Sequence, residues 1–448
     1  MKKTVCTALL ACLLFPAALL AADTVPFPAI GTDDRILVLA PHPDDETIGA
    51  AGPIMHAQKA GAQVKFACFT SGDHNELSFI LYEKRLTVRQ GEFLHMGEVR
   101  RKETLAALAL LGVKPADVVF FGYPDFGTLS ILMRYWGTTR PYRSIMTRID
   151  KVSYPEAYSP GAPYVGESVL RDLKKLITDF KPTKIFVSHP ADTNSDHQAL
   201  YLFLRIALWD LEKTIRPEVY PYLIHVVGWP RTQGHHEELE QIMPPPDTYD
   251  VIWQRFDLTP DEEAQQQKMI ACYKSQLVFN PGYLYAFNKK NEFFGDCPET
   301  VLFESKGAAF LWQDVVPLKQ GAGPDEQARL AFSRTGDSLY IKLVLKTAFT
   351  RRLGIRVLLV PYSAKTNFAA MPKLNITIGM GGLQIKDRQK VVFIKGASIA
   401  VGNKVVVLKI PLASLGNPDR ILSRTWARFS RYFPFKAPAW RVIRMGQN

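Results

Sequence analysis

Apolar runs and their punctuation divide this chain into two regions of different texture. In the first, the runs 36–40, 64–69, 117–121, 184–188 and 222–227 read as buried strands. Between them, 101–111 carries Leu105, Leu108 and Leu111 at helical spacing, and 167–180 and 196–211 read the same way. This alternation predicts an α/β fold with a Rossmann-like, doubly wound, mainly parallel sheet. The texture changes near 318–327. Beyond it the runs 339–343, 355–360, 374–378, 391–394 and 405–410 are short and β-branched, separated by turn signals at Thr335-Gly336-Asp337, Met380-Gly381-Gly382 and Gly402-Asn403. That spacing predicts a C-terminal β-sandwich. The expected division is residues 1–22, 23–320 and 321–448.

Polar residues crowd the ends of two predicted strands. Pro41-His42-Pro43-Asp44-Asp45-Glu46 follows the first run, and His189-Pro190-Ala191-Asp192-Thr193-Asn194-Ser195-Asp196-His197 follows the fourth. Open parallel sheets bind ligands outside the carboxyl ends of their strands. An imidazole and three adjacent carboxylates repel one another when buried, and a divalent cation relieves that cost. His42, Asp45 and His197 would supply mixed nitrogen and oxygen ligands of the kind that hold a catalytic zinc with a position left for water. An acidic helix N-terminus is the plainer reading of the first loop, but it gives the histidine no task.

These loops match the signatures of the LmbE-like/PIG-L family of zinc-dependent N-acetylglucosamine de-N-acetylases, which the chain resembles over roughly residues 33 to 300. Pro41 to Glu46 matches the family's first motif, and Ser195-Asp196-His197 the end of its second. Arg100 and Glu103, the turn Gly122-Tyr123-Pro124-Asp125 and the stretch 268–276 (KMIACYKSQ) match further. The resemblance implies one zinc, or another divalent metal, on His42, Asp45 and His197, with Asp44 as general base and an activated water as nucleophile. It also implies that Arg100 contacts sugar or phosphate. A helix-face pairing of Arg100 with Glu103 is the alternative. One position departs from the pattern: Asn194 stands where many members have histidine. Asn194 could still donate to an oxyanion but could not carry a proton, so His189, His225 and His74 are candidate second acids. Asp196 is expected either to orient a ligand histidine or to cap a helix.

Substrate class is read from the segment between Phe120 and Tyr164, where Tyr123, Phe126, Tyr135, Trp136, Tyr142, Tyr154 and Tyr158 lie in irregular sequence. Aromatic faces there could stack on sugar rings, and Asp125 could accept from hydroxyls; packing of the insertion would use the same aromatics. The pieces Ser338-Leu339-Tyr340-Ile341 and Ile410-Pro411-Leu412 resemble family 9 carbohydrate-binding modules, with a packing unit as the alternative.

Lys2 and Lys3 before an apolar stretch to Leu20, then Ala21-Ala22-Asp23, predict a cleaved secretory signal and hence a periplasmic or extracellular enzyme. The formal net charge of +12 would ordinarily raise nucleic acid as a partner, which export argues against. Much of the excess lies in 409–448, where Lys409, Arg420, Arg424, Arg428, Arg431, Lys436, Arg441 and Arg444 interleave with Trp426, Phe429, Tyr432, Phe433, Phe435 and Trp440. That stretch reads as a peripheral contact with the cell envelope or as a closing strand pair. Of Cys68, Cys272 and Cys297, the latter two could bridge if they meet. The expected partner is an N-acetylated sugar or glycan. A metallohydrolase of another amide and a glycan-binding protein with a decayed site are the alternatives.

Overall fold

The computed structural model describes residues 24–84, 89–137, 139–230, 241–246, 248, 250–305, 310–316, 327–429 and 438–446. The expected signal, and the basic and aromatic positions 431–436, lie outside them.

Five strands form a wholly parallel sheet: β1 (Arg35–Ala40), β2 (Gln63–Thr70), β3 (Val118–Tyr123), β4 (Lys184–Ser188) and β5 (Glu218–Tyr222). Their order is β3-β2-β1-β4-β5. Both faces are covered, which is why β1 can be apolar throughout. Ile36, Val38 and Ala40 enter one core, while Leu37 and Leu39 enter the other. Helices Gly166–Phe180 and Ser195–Leu211 pack on the second face; the former buries Val169, Leu173, Leu176 and Ile177 along one stripe. Because the order reverses at β1, the loops after β1 and β4 leave neighbouring strand ends, at the position where such sheets hold ligands.

Strand β5 ends at Tyr222 rather than occupying 222–227. It contains Pro221, which disguises a strand in sequence and is tolerated because β5 lies at the sheet edge. The helix expected over 101–111 is longer, Gln90–Ala109, its first half lacking apolar periodicity.

Thr24–Pro26, Trp253–Asp257 and Asn291–Phe294 form a small three-stranded sheet, and the strands from Thr300 onward build two largely antiparallel sheets of five and seven strands. Ile341, Leu343 and Leu408 of the first and Ile355, Val357 and Ile376 of the second share one core. Strand Leu353–Tyr362 is apolar on both sides: Leu358, Val360 and Tyr362 turn the other way and join the core beneath Gly166–Phe180 and Ser195–Leu211. Thr300–Leu302, before the expected boundary, pairs in parallel with Arg441–Met445 and completes the seven-stranded sheet.

The two parts are also joined by polar contacts. Gln198 Oε1 accepts from Arg424 Nη1 at 2.7 Å and from Trp440 Nε1 at 3.1 Å. Arg441 pairs with Asp250, and Tyr362 donates to Asp210 at 3.0 Å. Arg420–Phe429 and Arg441–Met445 form an antiparallel pair whose Arg424 and Arg441 are drawn into these contacts. Cys68, Cys272 and Cys297 are all free thiols.

Candidate metal centre

The loop after β1 is forced into its shape at Asp44, whose backbone is left-handed at φ 113°. That conformation costs a non-glycine residue on the order of 1–3 kcal/mol, and it immediately precedes the short helix Asp45–Gly49. Asp44 and Asp45 are thereby directed differently. The Asp45 carboxylate folds back, its Oδ2 accepting from the His42 backbone at 2.9 Å and lying 3.1 Å from His42 Nδ1. From the first turn of helix Ser195–Leu211, which follows the loop after β4, His197 Nε2 comes within 3.0 Å of the same oxygen and 3.2 Å of His42 Nδ1. All three side chains are buried.

Donor atoms about 2.1 Å from a tetrahedral ion stand about 3.4 Å apart. The 3.0–3.2 Å spacings of this triad are slightly tighter than that, and its two nitrogens and one oxygen suit zinc. Each histidine also meets a carboxylate at its other nitrogen: His42 Nε2 lies 3.2 Å from Asp125 Oδ1, and His197 Nδ1 lies 3.0 Å from Asp192 Oδ2. Such carboxylates fix the ring orientation of metal-binding histidines. Burial opposes charge on both rings, yet Asp125 holds His42 well above its usual range, and Asp192 with Asp45 pushes His197 up to about 9. Burial likewise opposes ionisation of Asp45, but His197 and His42 keep its pKa well below the ordinary value. The excess negative charge here therefore binds either protons or a cation.

Asp44 stands outside the triad. Its Oδ2 is 3.1 Å from Arg100 Nη2, and burial pushes its pKa up to about 7 against the pull of that guanidinium. Arg100 is itself buried and also donates to the carbonyls of Gly72 at 3.0 Å and Pro43 at 2.6 Å. Its contacts are therefore with the first loop and the loop after β2, and Glu103 instead accepts from the Ser275 backbone and hydroxyl at 2.8 and 2.6 Å. Through Ser275 the segment 268–276 is anchored, and its Tyr273 donates to Glu46 beside the triad.

Asp125 is buried and engaged by His42, and its Oδ2 accepts from the His74 backbone at 3.1 Å. Asp196 Oδ2 lies 3.4 Å from His42 Nε2 and accepts from the Phe126 backbone, while Thr128 donates to Oδ1. Asn194 is the helix N-cap, its Oδ1 accepting from Asp196 N at 2.8 Å. His189 is remote in character: its Nδ1 accepts from Ala191 N at 3.0 Å, and burial, then Arg441, pushes its pKa down to about 3. His225 lies closer, its Nδ1 3.2 Å from Asp192 Oδ1 and its ring edge-on to His197 at 4.5 Å. Asp192, joining both histidines, has no assigned role in the sequence reading; its signal was an acid in the same strand-end loop as His197.

Most aromatics of the insertion pack inward, Tyr135, Trp136 and Tyr158 only partly. Tyr123, Tyr142, Tyr154 and Tyr164 are buried, with Tyr123 donating to Asp172 at 2.7 Å and Tyr154 to Asp73 at 2.8 Å. Phe126 is 52% exposed at φ 54°, with its ring 5.0 Å from that of His74.

Residues 37–208 match the model of the family described as PIG-L: GlcNAc-PI de-N-acetylase. A 96-residue stretch is 27% identical to the N-acetylglucosaminyl-phosphatidylinositol de-N-acetylase of Bos taurus, covering 21% of this chain and 30% of that protein. A 79-residue stretch is 38% identical to a 1D-myo-inositol 2-acetamido-2-deoxy-alpha-D-glucopyranoside deacetylase of Mycobacterium sp. (strain KMS), covering 18% of this chain and 25% of that one. The chain thus spans less than a third of the length of these curated relatives. Among solved structures, the N,N'-diacetylchitobiose deacetylase of Pyrococcus horikoshii aligns at 18% identity over 55% of this chain and 71% of that chain, with a TM-score of 0.32. The segment 37–208 contains both loops of the triad, and it is there that this chain is similar to the PIG-L de-N-acetylases.

Proposed function

We propose that this chain is a metal-dependent hydrolase that removes the N-acetyl group from an N-acetylglucosamine-type sugar. The observation that carries this reading is the convergence of His42 Nδ1, Asp45 Oδ2 and His197 Nε2 at 3.0–3.2 Å, with the Asp44 carboxylate held outside the triad by Arg100. The family match over 37–208 and the sugar amides named in the relatives' descriptions support the substrate class.

His42, Asp45 and His197 would hold the metal, with zinc the best fit to the donor set. When bound, the metal would supply Lewis acidity toward the acetyl carbonyl and make a water acidic enough to attack at neutral pH. The protein's own groups do the rest. Asp44, with a pKa of about 7, accepts the proton of the attacking water and returns one to the leaving amine. Arg100 fixes that carboxylate by binding it together with the carbonyls of Pro43 and Gly72, which makes it a positioning residue. Asp125 and Asp192 hold the two imidazoles in orientation. His225, beside Asp192 and partly open to solvent, is placed to meet developing negative charge, and the helix cap engages only the Asn194 oxygen, which leaves its amide N–H as a second donor.

Residues 1–22, read as an export signal, would put this activity in the periplasm or outside the cell, against an envelope glycan or an incoming oligosaccharide. The two C-terminal sheets would be an accessory β-sandwich.

The test is acetate release from N-acetylglucosamine oligomers and envelope glycans by metal-loaded protein. Release that stops on chelation and returns with zinc supports the proposal. Protein that binds no divalent metal, or that hydrolyses only amides lacking a sugar, refutes it. Saturable binding of N-acetylated glycans without acetate release would favour the decayed-site reading.

A further inference from the structure

The two C-terminal sheets end together on one rim. Lys390–Val391 is the edge of the seven-stranded sheet, paired only with Gly382–Asp387. From there the chain crosses to Ser398–Val401, the edge of the five-stranded sheet. Val391 is 66% exposed and Phe393 is 93% exposed, while Met380 on the neighbouring hairpin is 57% exposed and Val401 48%. The hairpin and the segment Val391-Val392-Phe393 border a shallow depression floored by Leu383 and Ile385. Single exposed apolar residues are ordinary, but a cluster at one rim marks an interaction site.

The charge on this rim is one-sided. Between residues 380 and 405 the cations are Lys386, Arg388, Lys390, Lys395 and Lys404, and the acid is Asp387. Lys390, Lys395 and Lys404 are exposed, whereas Arg388 donates to the Ala369 carbonyl. Aromatic and aliphatic tips ringed by lysines suit an anionic bilayer, where the tips enter the acyl boundary and the ammonium groups stay among headgroups. A hydrophilic polyanion would engage the lysines and give Phe393 and Val391 nothing. A second copy of this rim would set cation against cation.

We propose that this rim is a peripheral membrane-binding face that inserts Phe393 and Val391 into an anionic lipid surface. It is independent of the deacetylase reading and draws on none of the residues in the metal centre. It draws on none of the basic, aromatic tail either, of which Arg424, Trp440 and Arg441 face inward.

The test is co-sedimentation of the full chain with vesicles of equal parts phosphatidylglycerol and phosphatidylcholine, alongside pure phosphatidylcholine vesicles. Residues 1–22 are common to every variant, so the comparison between variants isolates the rim. Phe393→Ala should weaken binding to anionic vesicles about tenfold, with an unchanged thermal melt because its side chain packs on nothing. Each exposed lysine changed to glutamine should cost roughly fivefold, and binding should weaken with salt. Phe393→Trp should gain blue-shifted emission with the anionic vesicles only. Absent vesicle binding, or binding indifferent to Phe393→Ala, overturns the proposal. Equal retention of the parent and Phe393→Ala by an acidic polysaccharide, with no preference for lipid, overturns it as well.

Discussion

Asp192 Oδ2 lies 3.0 Å from His197 Nδ1, the ring nitrogen opposite the one that meets Asp45. Asp192 is fully inside the protein and also receives the backbone N–H groups of Asn194 and His225 at 2.8 and 3.0 Å. Asp192→Asn preserves its size but removes the charge that steadies the imidazole. Zinc affinity should fall by about 10–100-fold, as read by competition with a chromophoric chelator.

Asp44→Asn addresses the reaction without addressing the metal. Its carboxylate faces Arg100 rather than the triad, so zinc content should match the parent. Acetate release should fall by roughly 10²–10⁴-fold. An active Asp44→Asn protein would remove this residue from the mechanism.

Phe126 combines an exposed ring with a left-handed backbone anchored by Asp196, which is itself beside His42. A large apolar residue kept in that state at the site mouth is suited to stacking on a sugar. Phe126→Ala should raise KM for an N-acetylglucosamine oligomer about tenfold with little change in kcat, while Phe126→Tyr stays near the parent. Equal losses in kcat and metal content would instead mean that the loop had collapsed.

Glu292 gives a pH dependence of stability outside the metal centre. Burial pushes its pKa up from 4.5 to about 8, against the backbone hydrogen bonds from Gly52 and Ala51. The folded state then holds a proton that the unfolded chain has released, so its contribution is complete below about pH 4.5 and is lost as pH rises through about 8. Glu292→Gln should flatten part of that decline, measured by denaturant unfolding at several pH values.

The meeting of His42, Asp45 and His197 was legible because each loop follows an apolar strand directly and its motif is contiguous. Once β1 and β4 are neighbours, His42, Asp45 and His197 have little choice but to meet. Arg100, Asp125 and Asp192 were harder to read. A charged residue on a helix or in a loop is usually solvated, and only the tertiary fold shows that these three turn inward toward Asp44, His42 and His197. Some of the C-terminal strands were equally plain, in the runs 339–343, 355–360, 374–378 and 405–410, whereas the run 391–394 is a strand only at Val391. What those runs could not convey is that Leu353–Tyr362 is buried on both sides, because two apolar faces look the same in sequence whether the second meets another sheet or a helix pair.

Gln198 follows His197 directly on its helix, and its amide oxygen is clasped by Arg424 and Trp440 from the far end of the chain. Trp440 further donates its backbone N–H to Pro190, in the loop that carries Asp192. Strands Arg420–Phe429 and Arg441–Met445 and the residues beside them therefore act as a splint behind the helix and loop that carry His197 and Asp192. A chain shortened at residue 320 would keep His42, Asp45 and His197 yet lose the brace behind the last of them, so the triad's surroundings are complete only once Arg424 and Trp440 have docked.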